Sequence, residues 1–159
     1  MTRVLFISGT GTGVGKTWVT RGLARALVRD GVHAIAIKPI ETGCDPEPAD
    51  AFALATACRR PELASATGLY RARAPLAPWA ATLGVEPAAS LPTIVTATRA
   101  LYASAEIALV EGAGGLLVPL DATSDMADLA FALDAELVLV GEDRPVSYTH
   151  LTLPTICSV

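Results

Sequence analysis

Apolar residues are distributed along the chain in two patterns, short continuous runs and longer stretches with helical spacing. The continuous runs are rich in Val, Ile, Leu and Ala, which is typical of parallel strands buried on both faces. The longer stretches place an apolar residue at every third or fourth position, as an amphipathic helix does. The runs predict strands over residues 3–8, 33–38, 107–110 and 136–141, and the spaced stretches predict helices over residues 16–30, 51–59, 92–104 and 125–133.

Predicted strands and helices alternate along the chain, which favours an α/β fold with a parallel sheet and helices on both faces. Residues 61–92 depart from this alternation because Pro75, Pro78 and Pro87 interrupt them. Within that stretch, residues 70–79 are predicted to form an ordered loop. Parallel strands bring their carboxyl ends to one edge of the sheet, and α/β proteins bind their ligands at that edge.

A glycine-rich segment, residues 9–17 (GTGTGVGKT), joins the first predicted strand to the first predicted helix. Glycines let backbone N–H groups approach an anion closely, and the start of a helix adds unpaired N–H groups and a positive dipole end. Lys16 can reach terminal phosphates, and the Thr17 hydroxyl can bind Mg²⁺. The segment is a variant of the GxxxxGK[ST] pattern, because position 10 is Thr10 and Gly9 lies one residue earlier. It predicts a P-loop NTPase site.

Further candidate residues follow the second predicted strand. Lys38, ahead of Pro39, ends that strand beside the glycine-rich segment, so its charge can stabilise a phosphoryl group during transfer; a solvated strand end is the alternative. Thr42, with Gly43, can offer a hydroxyl and a backbone N–H to an anionic substrate. Asp50 precedes the second predicted helix, where it either caps the helix or faces a metal–nucleotide complex, and the local sequence favours neither interpretation.

An acidic residue followed by glycines ends the third predicted strand, where Glu111 precedes residues 112–115 (GAGG). This arrangement resembles the second element of P-loop nucleotide sites, a carboxylate that binds Mg²⁺ directly or through water. A carboxylate at a solvent-facing strand end is the alternative. The glycine-rich segment upstream favours the metal-binding interpretation.

Composition and charge narrow the range of partners. The chain has 159 residues, of which 52% are hydrophobic, and a formal net charge of -4, which suits one domain with an apolar core. No basic cluster indicates nucleic acid binding, and no apolar run is long enough to span a bilayer. The N-terminus leads directly into a strand, so we expect no signal peptide, and the spacing of Cys44, Cys58 and Cys157 matches no metal site. These features predict a cytoplasmic protein with reduced thiols.

The last residues differ in composition from the rest of the chain. Alanine and glycine are frequent up to Arg144 and do not occur after it. Residues 146–155 (VSYTHLTLPT) resemble the translation of a transposon-end sequencing adapter. We therefore expect residues 1–144 to be part of a P-loop ATPase or ligase domain that is incomplete on its C-terminal side, and residues 145–159 to be a non-native tail. A genuine terminal segment is the alternative.

Three motifs in order, residues 9–17, Lys38-Pro39 with Thr42-Gly43, and residues 111–115, together resemble the dethiobiotin synthetase family. The resemblance implies a three-layer α/β/α P-loop NTPase fold and an ATP- and Mg²⁺-dependent cyclo-ligase of biotin biosynthesis. Enzymes of this family join CO₂ to 7,8-diaminopelargonic acid (7,8-diaminononanoate) and close dethiobiotin through a carbamate and a carbamic–phosphoric anhydride. The resemblance also implies a homodimer.

The same resemblance implies roles for individual residues. Lys38 and Lys16 are the implied catalytic residues, and Thr42 is the implied substrate-binding residue, which holds the carbamate. The implied ligands of Mg²⁺ are Thr17, Asp50 and Glu111. The implied ATP-binding residues are Gly13, Val14, Gly15, Lys16, Thr17, Trp18, Asp50, Glu111, Gly112, Ala113 and Gly114.

Three further details accompany the residue roles that the resemblance implies. Asp45 competes with Asp50 for the place beside the metal, because the loop between the second strand and the second helix varies in length within the family. Backbone N–H groups of residues 112–114 are implied to face the substrate or the γ-phosphate. Trp79 stands where many relatives have a histidine.

Two other functions share this class of phosphate-binding loop. Cobyrinate-type amide-forming synthetases use ATP to make acyl-phosphates, and partitioning-type ATPases are nucleotide-switched binding modules. The Lys38-Pro39-x-x-Thr-Gly string favours dethiobiotin synthetase over the first, and the lack of a lysine at positions 10–14 argues against the second. An inactive fragment is a third alternative.

Overall fold

The computed structural model describes residues 1–83 and 87–142 of the chain. The strands in this part are β1 (Arg3–Gly9), β2 (Ala34–Ile37), β3 (Ile40–Thr42), β4 (Tyr70–Ala72), β5 (Ile107–Glu111) and β6 (Glu136–Val140). The helices are α1 (Lys16–Arg29), α2 (Ala49–Ala57), α3 (Pro78–Thr82), α4 (Leu91–Tyr102) and α5 (Met126–Ala132), and a short 3-10 helix (Pro61–Ser65) follows α2.

The main sheet is parallel and has the strand order β2-β5-β1-β6. Its register aligns Ile7 of β1 with Glu111 of β5, and Ile37 of β2 with Val110 of β5. The carboxyl ends of β1, β2 and β5 therefore lie side by side at one edge. The predicted α/β class and parallel sheet are confirmed, and the register explains why residues far apart in sequence meet at this edge.

The core is centred on β1 and β5, whose side chains are buried on both faces of the sheet. Phe6 and Ile7 of β1 and Leu109 and Val110 of β5 are fully buried. Such double burial requires continuous apolar runs, which is why these strands show no alternation of polar and apolar residues. Helices α1 and α2 pack on one another and on β2, and α4 contacts α5.

Helix α2 begins earlier than the sequence indicates, at Ala49 instead of residue 51, and its N-cap is Pro48. Asp50 is therefore inside the first turn, and the interpretation of Asp50 as the helix cap is wrong. The opposite holds for α5, where Asp125 is the N-cap and forms a capping box with Asp128. Asp125 Oδ1 accepts the N–H groups of residues 127 and 128, which fixes the start of that helix.

The middle of the chain contains regular structure where a loop was predicted. Strand β4 lies within residues 70–79 and pairs in parallel with β3, so that Ile40 is opposite Tyr70 and Thr42 is opposite Ala72. Helix α3 also begins there, with Pro78 in its first turn. These elements are three to five residues long, which is too short for a hydrophobic period to show.

The predicted tail, residues 145–159, lies outside the described residues, and the boundary after residue 144 stays a prediction. Within the described ranges no helix combines the length and the apolar character that crossing a membrane requires. Cys44 and Cys58 are buried free thiols there. Cys157 belongs to the part that is not described.

We predict that the central strand β5 carries much of the stability of the fold. Replacing the fully buried Leu109 by alanine should lower the free energy of unfolding by about 2–5 kcal/mol, because it removes apolar contacts and leaves a cavity. The matched control is Leu137→Ala on β6, where the leucine is 45% exposed, and its loss should stay below about 1 kcal/mol. Urea unfolding of both variants measures the difference. Equal losses would contradict a core centred on β5.

Candidate active site

The loop between β1 and α1 is shaped for an anion. Gly13 has φ 79° and Gly15 has φ 96°, in the left-handed region that favours glycine. Gly15 is the N-cap of α1, and within the described part of the chain no side chain caps this helix. The first-turn N–H groups of α1 are thus available to a bound anion. The loop is anchored to the sheet, since the N–H of Thr10 donates to the carbonyl of Val140 on β6 at 3.0 Å.

Lys16 is held in this loop without an acidic partner within hydrogen-bonding distance among the described residues. Its Nζ donates to the carbonyl oxygen of Gly11 at 2.8 Å. Burial lowers the pKa of Lys16 below its ordinary value, and the positive charge of Lys38 lowers it further. The negative charges of Glu111 and Asp50 oppose this shift only in part, and an anionic ligand would oppose it further.

Glu111 is the centre of a polar cluster at the carboxyl edge of the sheet. It is fully buried, and its Oε1 accepts hydrogen bonds from Thr17 Oγ1 at 2.8 Å and from Lys38 Nζ at 2.6 Å. Lys38 Nζ also lies 3.2 Å from Asp50 Oδ2. The cluster joins the start of α1, the residue after β2, the end of β5 and the first turn of α2.

The charge state of Lys38 follows from these contacts. Burial acts to lower the pKa of Lys38, but the Glu111 carboxylate and then Asp50 outweigh it, so the pKa is raised above that of an ordinary lysine. Lys38 is therefore an ammonium group at neutral pH. It acts as a fixed positive charge and hydrogen-bond donor.

The second carboxylate oxygen of Glu111 bears on whether this site fits a metal ion. Oε2 is buried and has no hydrogen-bond partner among the described residues. Thr17 and Asp50 supply further oxygen atoms nearby, and a set of oxygen ligands suits Mg²⁺. In residues 1–83 and 87–142 no group of three or more His, Cys, Asp or Glu side chains is arranged to hold a metal. These residues therefore fit a Mg²⁺ ion whose remaining ligands would be nucleotide phosphates and water.

Two neighbouring clefts open at this edge. The first has a volume of about 410 Å³, and both lysines of the chain line it, together with the carboxylates of the cluster. The second has a volume of about 280 Å³ and is bordered by proline, leucine and valine side chains. The clefts share the residues Thr12, Thr42, Ala113 and Gly114.

Comparisons with known proteins agree with this geometry. A protein-family model described as an AAA domain matches residues 3–155. The ATP-dependent dethiobiotin synthetase BioD of Anaeromyxobacter dehalogenans (strain 2CP-1 / ATCC BAA-258) is 44% identical over 157 residues, which cover 97% of this chain and 70% of that protein. The enzyme of the same name from Xanthomonas oryzae pv. oryzae (strain PXO99A) is 43% identical over 154 residues, covering 93% of this chain and 68% of that protein.

The chain belongs to the ATP-dependent dethiobiotin synthetase family. It spans about 70% of the length of these curated relatives. Among solved structures, the signal recognition particle receptor FtsY from Elizabethkingia anophelis in complex with GDP is similar, with a TM-score of 0.51 and 16% identity over 87% of this chain and 40% of that one. This likeness shows the fold alone, and it agrees with the predicted P-loop NTPase class.

The first cleft brings most of the predicted dethiobiotin synthetase site residues together. Trp18 lies at its rim with 78% of the residue exposed. Asp50 lines the cleft and Asp45 does not, so the geometry favours Asp50 as the acidic neighbour of Lys38. The predicted residues that line it are Gly13, Gly15, Lys16, Thr17, Trp18, Lys38, Thr42, Asp50, Glu111, Ala113 and Gly114.

Val14 and Gly112 do not line the cleft. The side chain of Val14 lies against Gly9, where an added Cβ would come within 2.7 Å of Val14 Cγ2. The N–H of Gly112 donates to the carbonyl of Ile7 at 2.9 Å, so it extends the pairing of β5 with β1. A Cβ at Gly112 would lie 2.9 Å from the Phe6 ring, which explains glycine there by packing.

Sequence reasoning missed Glu41, which is 6% exposed and lines the cleft. Its carboxylate accepts the backbone N–H groups of Asp50 and Ala51 at 2.9 and 2.8 Å. The need for this contact becomes visible only once the start of α2 is known. Pro48 stands at the start of α2 and has no side-chain acceptor, so the first-turn N–H groups need another partner.

Trp79 is anchored through its backbone, since its N–H donates to the carbonyl of Pro119 at 3.3 Å.

We predict that removing the Lys38 ammonium group leaves a destabilising buried charge. Lys38→Met should lower the free energy of unfolding by about 3–5 kcal/mol at neutral pH, because the buried Glu111 carboxyl group then loses its cationic partner. The pKa of Lys38 is raised in the folded protein, so the contribution of the pair is complete below the ordinary lysine pKa of about 10.4 and is lost as pH rises through the higher folded value.

Urea unfolding at a series of pH values measures this effect. The difference between wild type and Lys38→Met should be constant between about pH 7 and pH 9 and should shrink only above about pH 10.4. The control is the double variant Lys38→Met/Glu111→Gln, which removes both charges and should recover most of the loss. A difference that already shrinks near pH 8 would show that Lys38 is not held as a cation.

Proposed function

We propose that this chain carries the nucleotide site of an ATP-dependent dethiobiotin synthetase, a ligase that makes dethiobiotin from 7,8-diaminopelargonic acid (7,8-diaminononanoate) and CO₂ in biotin biosynthesis. The observation that carries the proposal is the cluster in which Lys38 contacts Glu111 and Asp50 beside the phosphate loop. Family membership supports the choice of substrates.

The loop from Gly13 to Thr17 binds the ATP phosphates through backbone N–H groups, with Lys16 as the adjacent cation. The first cleft, at about 410 Å³, has room for the triphosphate. Mg²⁺, held by Thr17, Asp50 and Glu111 together with phosphate oxygens, would neutralise charge on the β- and γ-phosphates. Glu111 Oε2 is the buried acceptor that lacks a partner among the described residues and fits this role.

The reaction begins when one amine of the substrate adds to CO₂ and loses a proton, which gives a carbamate. A carbamate oxygen then attacks the γ-phosphorus, the bond to the β-phosphate oxygen breaks, and ADP leaves. The protonated Lys38 donates to the phosphoryl oxygens during this transfer, and Thr42 binds the carbamate. The second amine attacks the carbonyl carbon of the carbamic–phosphoric anhydride and loses a proton, the bond between that carbon and the phosphate oxygen breaks, and phosphate leaves as the cyclic urea closes.

The neighbouring cleft suits the aliphatic part of the substrate. It is lined by Pro75, Leu76, Pro78 and Val118, and it meets the first cleft at Thr42. A substrate with two amines and a hydrocarbon chain can therefore place its amines near Lys38 and its chain along apolar side chains.

A homodimer and a cytoplasmic location are parts of the same proposal. Leu117 and Phe131 are 81% and 89% exposed, which supports a surface that a second subunit covers. Cys44 and Cys58 are free thiols, which suits a reducing compartment. We also keep the proposal that residues 145–159 are a non-native tail; sequencing the source DNA beyond the codon for residue 144 tests it.

We predict that turnover depends on Lys38. With ATP, Mg²⁺, bicarbonate as the source of CO₂ and 7,8-diaminopelargonic acid, the chain should release ADP and form dethiobiotin. Lys38→Met should lower kcat by roughly 100-fold or more, because a donor to the transferred phosphoryl group is lost. The matched control, Arg29→Met, removes an exposed cation at the end of α1 and should leave kcat unchanged.

The substrate requirement separates the proposal from its alternatives. ADP release that needs the diamine supports a dethiobiotin synthetase, whereas release that needs ammonia and a carboxylic acid indicates an amide-forming synthetase. ADP release that responds only to a macromolecular partner indicates a nucleotide-switched module. Lack of ATP binding by the chain would overturn the assignment of the cleft.

We predict that Asp50, and not Asp45, serves the metal. Asp50→Asn should raise the half-saturating Mg²⁺ concentration for ATP binding by roughly tenfold, since a carboxylate beside the site is lost. Asp45→Asn, the matched control in the preceding loop, should leave it unchanged. Isothermal titration calorimetry of ATP at several Mg²⁺ concentrations measures both variants. The reverse result would assign the role to Asp45.

A further inference from the structure

Helix α2 is capped from a distance. Its N-cap, Pro48, has no side-chain acceptor, yet the N–H groups of Asp50 and Ala51 in the first turn are satisfied. Glu41 Oε1 accepts the N–H of Asp50 at 2.9 Å, and Oε2 accepts the N–H of Ala51 at 2.8 Å. These are the donors that a capping side chain normally serves. A carboxylate from β3 therefore does the work of an N-cap residue in α2.

This cap fixes the backbone of a residue in the active site. The Asp50 side chain is 45% exposed, and it is held at the site by its ion pair with Lys38 at 3.2 Å. An exposed carboxylate on an unanchored helix end would sample several positions. Because Glu41 binds the backbone N–H of Asp50, it fixes the backbone position from which the Asp50 side chain extends. That position determines whether the Asp50 carboxylate can contact Lys38.

The setting of Glu41 supports a dedicated role. Glu41 is 6% exposed and precedes Thr42, so one short strand supplies both the cap and a residue of the cleft. Arg71 is opposite Glu41 in the parallel pairing of β3 with β4. A cation beside a buried carboxylate offsets part of the cost of burying it, and a carboxylate forms charge-assisted hydrogen bonds with backbone N–H groups.

We propose that Glu41 is a positioning residue of the nucleotide site, which caps α2 and thereby holds Asp50 beside Lys38 and the metal. The inference rests on the proposed role of Asp50 in binding Mg²⁺. Glu41 has both carboxylate oxygens engaged by α2, so it acts through Asp50 and not as a direct ligand. The small sheet of β3 and β4 is then a support for the metal side of the active site.

The test is a double-mutant cycle on the whole chain, with Mg²⁺-dependent ATP binding measured by calorimetry. Glu41→Gln keeps the size of the side chain but replaces one acceptor oxygen by an NH₂ group. It should raise the half-saturating Mg²⁺ concentration by roughly five- to tenfold. The same change in an Asp50→Asn background should add little, because the two residues act as a unit.

A matched control separates positioning from general loss of stability. Glu106 also accepts a backbone N–H, that of His33 at 2.9 Å, but it does not line the cleft. Glu106→Gln should lower the unfolding temperature somewhat and leave the Mg²⁺ dependence unchanged. Rescue provides the second arm, since Pro48→Asp would give α2 its own capping side chain. In the Glu41→Gln background it should restore the Mg²⁺ dependence to near that of the wild type, and this double variant decides the case if Glu41→Gln alone does not fold.

The outcomes separate the positioning role of Glu41 from the metal-binding role of Asp50 on which it rests. If Asp50→Asn shifts the Mg²⁺ dependence and Glu41→Gln does not, only the inference about Glu41 is overturned. The inference also fails if Glu41→Gln has its full effect in the Asp50→Asn background, or if Pro48→Asp gives no rescue. If Asp50→Asn itself has no effect, the proposed role of Asp50 fails and the inference falls with it.

Discussion

The buried ion pair between Lys38 and Glu111 is the constraint on which the rest of the site depends. The two charges come from the ends of neighbouring strands, and their atoms lie 2.6 Å apart with almost no exposure to water. Burying a charge costs several kcal/mol unless a partner and further hydrogen bonds compensate it. Thr17 and Asp50 supply those further contacts, so the phosphate loop and the start of α2 are tied to the same pair.

Two lysines in one cleft have different electrostatic environments. Lys38 has two carboxylates within reach, and its pKa is raised in spite of burial. Lys16 has the carbonyl of Gly11 as its hydrogen-bond partner, and burial together with Lys38 lowers its pKa. The protein thus balances one lysine internally and leaves the other for a ligand. Under the proposed function, a nucleoside triphosphate would bring the negative charge that Lys16 pairs with, which would link the structure of the cleft to its function.

The elements that sequence reasoning predicted are those with a strong local signal. Strands β1 and β5 are buried on both faces and therefore appear as continuous apolar runs, and the glycine-rich loop is recognisable by the conformations it requires. The short strands β3 and β4 gave no such signal, because three residues cannot show a period. The local sequence left the role of Asp50 undecided, since the choice between cap and site residue depends on where α2 begins.

Glu41 shows the limit of such reasoning most clearly. Its partners lie nine and ten residues away, at the far end of a turn, and no spacing rule connects a strand residue to the first turn of the next helix. The N–H of Gly112 is a similar case. The family resemblance implied a ligand contact here, and the pairing of β5 with β1 uses this donor. Both outcomes depend on contacts in space that only the folded chain defines.

The most direct test of the account is a crystal structure of the chain with Mg²⁺ and a non-hydrolysable ATP analogue. We expect the phosphates to lie in the cleft of Lys16 and Lys38, with Lys38 Nζ within about 3 Å of a γ-phosphate oxygen. We also expect Glu111 Oε2 to bind the metal or one of its waters. Phosphates bound elsewhere, or a Glu111 Oε2 that still lacks a partner in the complex, would contradict the central claim that this ion pair organises a nucleotide site.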